Sequence, residues 1–76
     1  MTELELCKII SDNLAELIKE SGYSRCEVAL EAGLDESTIN KCLKGDRIPS
    51  VRTVINLAIA LKCDLTDIIP DYDYID

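Results

Sequence analysis

The sequence predicts a small, compact, all-α domain of five helices, and three observations support this prediction. Apolar residues recur at three- and four-residue steps in separate segments, which is the period of helices that bury one face. Serine, threonine, glycine and proline bound these segments, as they do at helix ends. No segment alternates apolar and polar residues as a half-buried strand does. The 76 residues amount to one domain, close to the lower size limit at which a hydrophobic core suffices.

The domain is predicted to span residues 1–70 and to be followed by an acidic C-terminal tail over residues 71–76. No run approaches the roughly 18 to 20 apolar residues of a membrane span. The chain opens with the acidic Glu3 and Glu5, whereas a secretion signal opens with basic residues. We therefore expect a soluble cytoplasmic protein without a membrane partner.

The first two helices are predicted over residues 3–21 and 25–32. Each is preceded by the spacing of a capping box, Thr2 with Glu5 and Ser24 with Glu27. Gly22 and Gly33 are expected to end them, because glycine tolerates the left-handed conformation found just after helices. We also expect Ala29 and Gly33 to let the second and third helices approach closely and turn sharply. The predicted inward residues are Leu6, Cys7, Ile10, Leu14, Leu17 and Ile18, then Val28, Ala29 and Ala32.

Three further helices are predicted over residues 36–44, 51–62 and 65–69. The expected N-caps are Asp35, Ser50 and either Asp64 or Thr66, while Gly45 ends the third helix and Pro70 the fifth. The third helix is polar except at Ile39, Cys42 and Leu43, so it should rest on the domain through a narrow contact. The predicted core face of the fourth helix consists of Val54, Leu57, Ala58 and Leu61.

Charge is unevenly distributed along the chain. The net charge of −7 should repel a polyanion. Residues 1–36 carry three basic and nine acidic side chains, and residues 63–76 carry five aspartates and no base. Residues 37–62 carry five basic side chains against Asp46 alone. One contiguous segment is therefore basic, and it contains the fourth predicted helix and all of the third except its first residue, Glu36.

Neither an enzyme nor a metal site is predicted. The chain has no histidine, no glycine-rich phosphate loop and no nucleophile with an evident base. The four cysteines are widely and unevenly spaced, and no pair has the spacing of a zinc knuckle, although convergence in space stays open. We interpret Cys42 and Cys63 as reduced packing residues and Cys26 as an exposed thiol. No cofactor or small-molecule ligand is expected.

From Ile10 to Ile69 the chain resembles the phage-repressor/Cro-like family of helix-turn-helix proteins, also called the XRE family. The residues that carry the resemblance are Leu14, Leu17, Gly22, Ser24, Val28, Ala29, Ala32, Gly33, Leu34, Ile39, Gly45, Pro49, Ser50, Leu57, Ala58 and Leu61. The resemblance implies a lambda-repressor-like domain whose second and third helices form the helix-turn-helix. It also implies sequence-specific binding of double-stranded DNA by a transcriptional regulator, most simply a repressor. Two residues depart from the family pattern: Arg25 replaces a usual glutamine, and Glu36 replaces a neutral or basic residue.

By the same resemblance, the third helix enters the major groove and presents the base-reading residues Glu36, Ser37, Thr38 and Lys41. The expected phosphate contacts are Arg25, Lys44, Arg47, Ser50 and Arg52. The alternative for such exposed charges is a solvated surface without a ligand. The alternative for the whole protein is a helix-turn-helix module that binds another protein, such as an antitoxin-like partner or an adaptor. The acidic surface and Glu36 favour that alternative.

A homodimer is predicted from surplus apolar residues near the C-terminus. Ile55 and Ile59 lie four residues apart, outside the core face of the fourth helix. Together with Ile68 and Tyr72 they would form the interface, since exposed apolar clusters commonly mark one. Alternatively, the tail covers Ile55 and Ile59 within one monomer.

Overall fold

The computed structural model describes residues 2–69 and confirms the all-helical prediction over that range. Its helices are α1 (Glu3–Ser21), α2 (Arg25–Ala32), α3 (Glu36–Lys44), α4 (Val51–Leu61) and α5 (Leu65–Ile68). Helices α4 and α5 each end one residue before the predicted position. None of the described helices is long and apolar enough to cross a membrane. The predicted domain boundary at residue 70 and the tail over residues 71–76 lie outside the described residues.

Side-chain caps fix where most of these helices begin. Ser24 and Glu27 form the predicted capping box, in which the Glu27 N–H donates to Ser24 Oγ and the Ser24 N–H donates to Glu27 Oε1. Thr2 Oγ1 accepts from the Glu5 N–H at 3.2 Å. Asp64, and not Thr66, is the N-cap of α5. Each of these hydrogen bonds pairs a backbone N–H group at a helix start, where such groups lack intrahelical partners.

Helices α4 and α5 end in different backbone conformations. Lys62 follows α4 with φ 55° and donates its N–H to Ala58 and Ile59 carbonyls, so a lysine takes the left-handed position usually held by glycine. Ile69 follows α5 in an extended conformation. Because Ile69 precedes Pro70 in the sequence, the helical region is disfavoured for it.

The aliphatic core lies where α1 and α4 meet the shorter helices. Helix α3 packs on α1 and α2, α4 packs on α2 and α5, and α5 also contacts α1. The core residues are Ile10, Leu14, Ile18, Val28, Ala29, Ala32, Ile39, Cys42, Val54, Leu57, Ala58, Ala60 and Ile68. The predicted inward faces are confirmed, with Leu6, Leu17, Leu43 and Leu61 partly buried at the edge. Ala60, which the sequence did not place inside, is buried because α4 packs against helices on more than one side.

The assignment of Ile68 to a dimer interface is wrong. Its side chain has 0% exposure and belongs to the core beneath α5. Its carbonyl oxygen accepts from Asn13 Nδ2 at 2.9 Å, a hydrogen bond that ties the end of α5 to α1. An isoleucine in this position stabilises the monomer and has no surface to offer to a second copy.

The expected close approach at Gly33 is also wrong, and a different glycine makes one. A Cβ added at Gly33 would meet no atom within 4 Å, so glycine is needed there for its φ of +67° alone. A Cβ at Gly45 would lie 2.8 Å from Ser11 Oγ, a buried hydroxyl that donates to the Lys8 carbonyl at 2.9 Å. The segment after α3 therefore passes directly over α1.

This difference predicts unequal effects of alanine at the two glycines. Both substitutions place an L-residue at positive φ, at a cost of about 1–3 kcal/mol. Gly45→Ala should destabilise the fold by about 1 kcal/mol more than Gly33→Ala, because Ser11 Oγ must move and lose its hydrogen bond. Urea unfolding measures both. In a Ser11→Ala background this additional penalty should vanish, and an unchanged penalty would contradict the contact.

Candidate nucleic-acid interface

Helix α3 exposes most of its surface because two residues hold it on the core. Ile39 and Cys42 are buried and Leu43 is partly buried, as the sequence predicted. Ser37, Lys41 and Lys44 are exposed and lie four and three residues apart, so they form one stripe on the opposite face. We call these three residues the α3 stripe.

One flank of the α3 stripe is connected to α2 by a hydrogen bond. Arg25, the first residue of α2, donates from Nη1 to Asn40 Oδ1 on α3 at 2.9 Å. Both side chains are exposed. Asn40 was not among the predicted site residues, although its position beside Lys41 on a polar helix could have suggested it. Its partner, fifteen residues earlier in the chain, could not be predicted from spacing.

The other flank of the stripe borders a shallow concavity between α3 and the start of α4. Its lining residues are Thr38, Lys41, Cys42, Arg47, Pro49 and Thr53. Two predicted base-reading residues, Thr38 and Lys41, thus share one depression with Arg47, a predicted phosphate contact. Pro49 and Thr53 complete it and were not predicted to belong to the site.

The N-terminus of α4 borders this concavity through Thr53. Ser50 caps the helix, since its Oγ accepts from the Thr53 N–H at 3.2 Å and lies 2.8 Å from Thr53 Oγ1. The Ser50 hydroxyl is therefore already hydrogen-bonded. The N–H groups of Val51 and Arg52 precede the first intrahelical donor and stay available for an anion.

The remaining predicted residues are exposed around the same helices. Glu36 is the first residue of α3, where a negative charge complements the helix dipole. Arg52 is exposed in the first turn of α4. The structure thus brings together Thr38, Lys41 and Arg47 directly, and it connects Arg25 to α3 through Asn40.

The cysteines are free thiols with different surroundings. Burial raises the pKa of the Cys42 thiol, which packs on the inner side of α3. The pKa of Cys63 is raised by burial and, further, by the carboxylates of Asp67 and Asp64. Cys26 is exposed. Within residues 2–69, no group of three or more histidine, cysteine, aspartate or glutamate side chains could hold a metal ion.

Apolar side chains are also exposed on α4 and α5. Ile55 is 41% and Ile59 69% exposed on α4, and Leu65, on the adjoining α5, is 43% exposed. Leu65 was not among the predicted interface residues. Tyr72, which was, lies outside the described residues.

Comparison with known sequences identifies the family. A family model described as helix-turn-helix matches residues 14–68, which include all of α2 to α5. A relative from Sinorhizobium fredii, named as the uncharacterized HTH-type transcriptional regulator y4dJ, is 27% identical over 70 residues. The alignment covers 92% of this chain and 91% of the relative.

Similar solved structures agree with this match. The restriction-modification controller protein C.AhdI from Aeromonas hydrophila has a TM-score of 0.78 and 27% identity, covering 83% of this chain and 96% of that one. A SOS-response transcriptional repressor, LexA, from Eubacterium rectale has a TM-score of 0.79 and 32% identity, covering 95% and 78%. A regulator from Vibrio cholerae has a TM-score of 0.83 at 21% identity, covering 88% and 38%, and shows the fold alone. By its sequence match and by its five-helix architecture, with α2 and α3 as the paired helices, the chain belongs to the helix-turn-helix family of the XRE type.

Proposed function

We propose that this protein is a transcriptional regulator that binds double-stranded DNA sequence-specifically through α3. The observation that supports this most directly is the seating of α3, which exposes a polar stripe between two flanks that each carry an arginine. An α-helix fits the major groove, and arginines beside it can contact the phosphates that border the groove. The names of the relatives, which include regulators and a repressor, support the same function. The proposed role is DNA binding without catalysis, in the cytoplasm.

Base reading is assigned to the exposed residues of α3. Lys41 can donate to guanine acceptors, and the hydroxyls of Ser37 and Thr38 can bond several base edges. Glu36 can accept from the N4 amino group of cytosine. This assignment places α3 in the major groove with its first two turns nearest the bases.

Phosphate binding is assigned to the cations around that helix. Arg47 lies beside Lys41 in the concavity, and Lys44 ends α3. Arg52 and the N–H groups of α4 supply a second phosphate site next to the Ser50 cap. Because the Ser50 hydroxyl is bonded to Thr53, its contribution is to order these N–H groups.

A second candidate function follows from the net charge of −7. An acidic helix-turn-helix protein with a glutamate at the start of α3 could bind a basic protein instead of DNA. The basic segment from 37 to 62 favours DNA, because screening over about 8 Å lets a local patch outweigh distant acids.

The proposed functional unit is a twofold homodimer. One small domain covers roughly 600–1,000 Å² of protein surface on DNA, which seldom provides high specificity. Two copies on half-sites one helical turn apart would double that contact. The exposed Ile55 and Ile59, with Leu65 replacing the buried Ile68, form the proposed interface.

The assignment of base and phosphate contacts predicts two different mutant phenotypes. Lys41→Ala should weaken binding to the preferred duplex by about 1–3 kcal/mol and relax the preference at one base position. Arg47→Ala should weaken binding to specific and random duplexes alike and reduce the salt slope by about one. Fluorescence anisotropy over a salt series measures both effects.

The wild-type protein is the control in that experiment. If both variants behave identically on specific and random DNA, the division into base and phosphate contacts is wrong. If the wild-type protein retains no duplex at any salt concentration but binds a protein tightly, the second candidate function is correct.

The dimer proposal predicts that Ile59→Glu converts a dimer into a folded monomer, because two carboxylates would be buried at a twofold contact. Sedimentation at micromolar concentration measures the mass, and circular dichroism reports folding. Leu30→Glu is the matched control, since Leu30 is 80% exposed but lies on α2 and not on α4 or α5, which carry the proposed interface. A wild-type monomer, or equal effects of both variants, would contradict the interface.

A further inference from the structure

We propose that Arg25 acts through Asn40, and that the pair selects a keto base, guanine or thymine, beside the α3 stripe. This inference rests on the proposed function, in which α3 reads the major groove. It changes the role predicted for Arg25 from a phosphate contact to a positioning residue. It also adds Asn40 as a specificity-determining residue.

Arg25 determines the orientation of the Asn40 amide. The guanidinium group of Arg25 carries hydrogen-bond donors and no acceptor. The Asn40 atom that faces Arg25 Nη1 at 2.9 Å must therefore be Oδ1, and the Nδ2 group points elsewhere. A charge-assisted bond of this kind is shorter and stronger than a bond between neutral groups. The amide is thus held in one of its two orientations.

The bond to Arg25 changes which hydrogen-bonding groups of Asn40 remain available to a base. A free asparagine amide can accept from the N6 amino group of adenine and donate to its N7 at the same time. With Arg25 at Oδ1, an amino group would approach the same oxygen against a positive charge. The two N–H donors of Nδ2 stay available. They match base edges that only accept: guanine at O6 and N7, and thymine at O4.

The backbone positions of Arg25 and Asn40 are fixed by the helices that carry them. Arg25 begins α2 directly after the Ser24 capping box, so its backbone position is fixed. Helices α2 and α3 pack on each other, with Ala29 and Ile39 buried in the shared core, and this packing fixes the two backbone positions from which the side chains meet at 2.9 Å. Two packed helices therefore carry the pair.

The position of Arg25 is unfavourable for the isolated helix. Cations at a helix N-terminus oppose the macrodipole, which favours acidic residues there. Arg25 is the first residue of α2, and the nearest compensating charge in that turn is Glu27. An arginine at this place does not serve helix stability, which agrees with a role in recognition.

The experiment compares wild type, Arg25→Ala, Arg25→Lys, Asn40→Ala and the double alanine variant in selection of duplexes from a random pool. The wild type should require guanine or thymine at one position of one strand. Asn40→Ala should lower the discrimination there about 5- to 150-fold. Arg25→Ala should admit adenine at the same position, because Oδ1 is released. Arg25→Lys should retain the keto preference, since it restores a charged donor.

The double variant should lose no more discrimination than Asn40→Ala alone, because Arg25 acts through Asn40. Arg47→Ala is the matched control for the loss of a cation without a bond to Asn40. If Arg25→Ala, like this control, weakens all duplexes equally and leaves every base preference unchanged, Arg25 is a phosphate contact and the inference is wrong. If Asn40→Ala changes no base preference, the inference is also wrong. A wild type that selects no duplex overturns the proposed function itself.

Discussion

The packing of α3 on the core through Ile39 and Cys42 is the contact on which the proposed DNA-binding surface depends. A nine-residue helix is too short to be stable alone in water, so its existence relies on tertiary packing. That packing is limited to Ile39 and Cys42, with Leu43 at the edge, against α1 and α2. The narrow contact has two effects: it fixes the direction of the helix, and it leaves the polar side free. A wider apolar face would have stabilised α3 more and exposed less of it.

The two flanks of α3 come from segments on either side of it in the chain. Arg25 precedes it on α2, and Arg47 follows it in the connection to α4. The turn at Gly33 and the close passage of Gly45 over Ser11 determine where these segments lie relative to the stripe. Backbone geometry at two glycines, for two different reasons, therefore positions the charged groups that we assign to DNA. Packing and recognition are coupled at these points.

The charge distribution suits a protein that gains specificity from hydrogen bonds more than from charge alone. The basic segment from 37 to 62 is bordered by acidic segments, so attraction to any polyanion is local. Non-specific affinity arises largely from neutralised phosphates, and few cations serve that purpose here. In the proposed complex, discrimination between sites then depends on the base edges assigned to α3.

The sequence by itself determined the five helices, their caps and most of the core. Those features depend on local periodicity and on residues such as Ser24 and Gly45, whose preferences act within a few positions. It also identified the family, because apolar and glycine positions recur at fixed spacings. Tertiary structure decided the rest: Ile68 is buried and not at an interface, Gly33 needs its φ and not space, and Ala60 is inside. The bond between Arg25 and Asn40 and the depression shared by Lys41 and Arg47 join residues from different elements. Such contacts depend on how the helices pack. No local pattern in the chain encodes which residues of different helices come within contact distance.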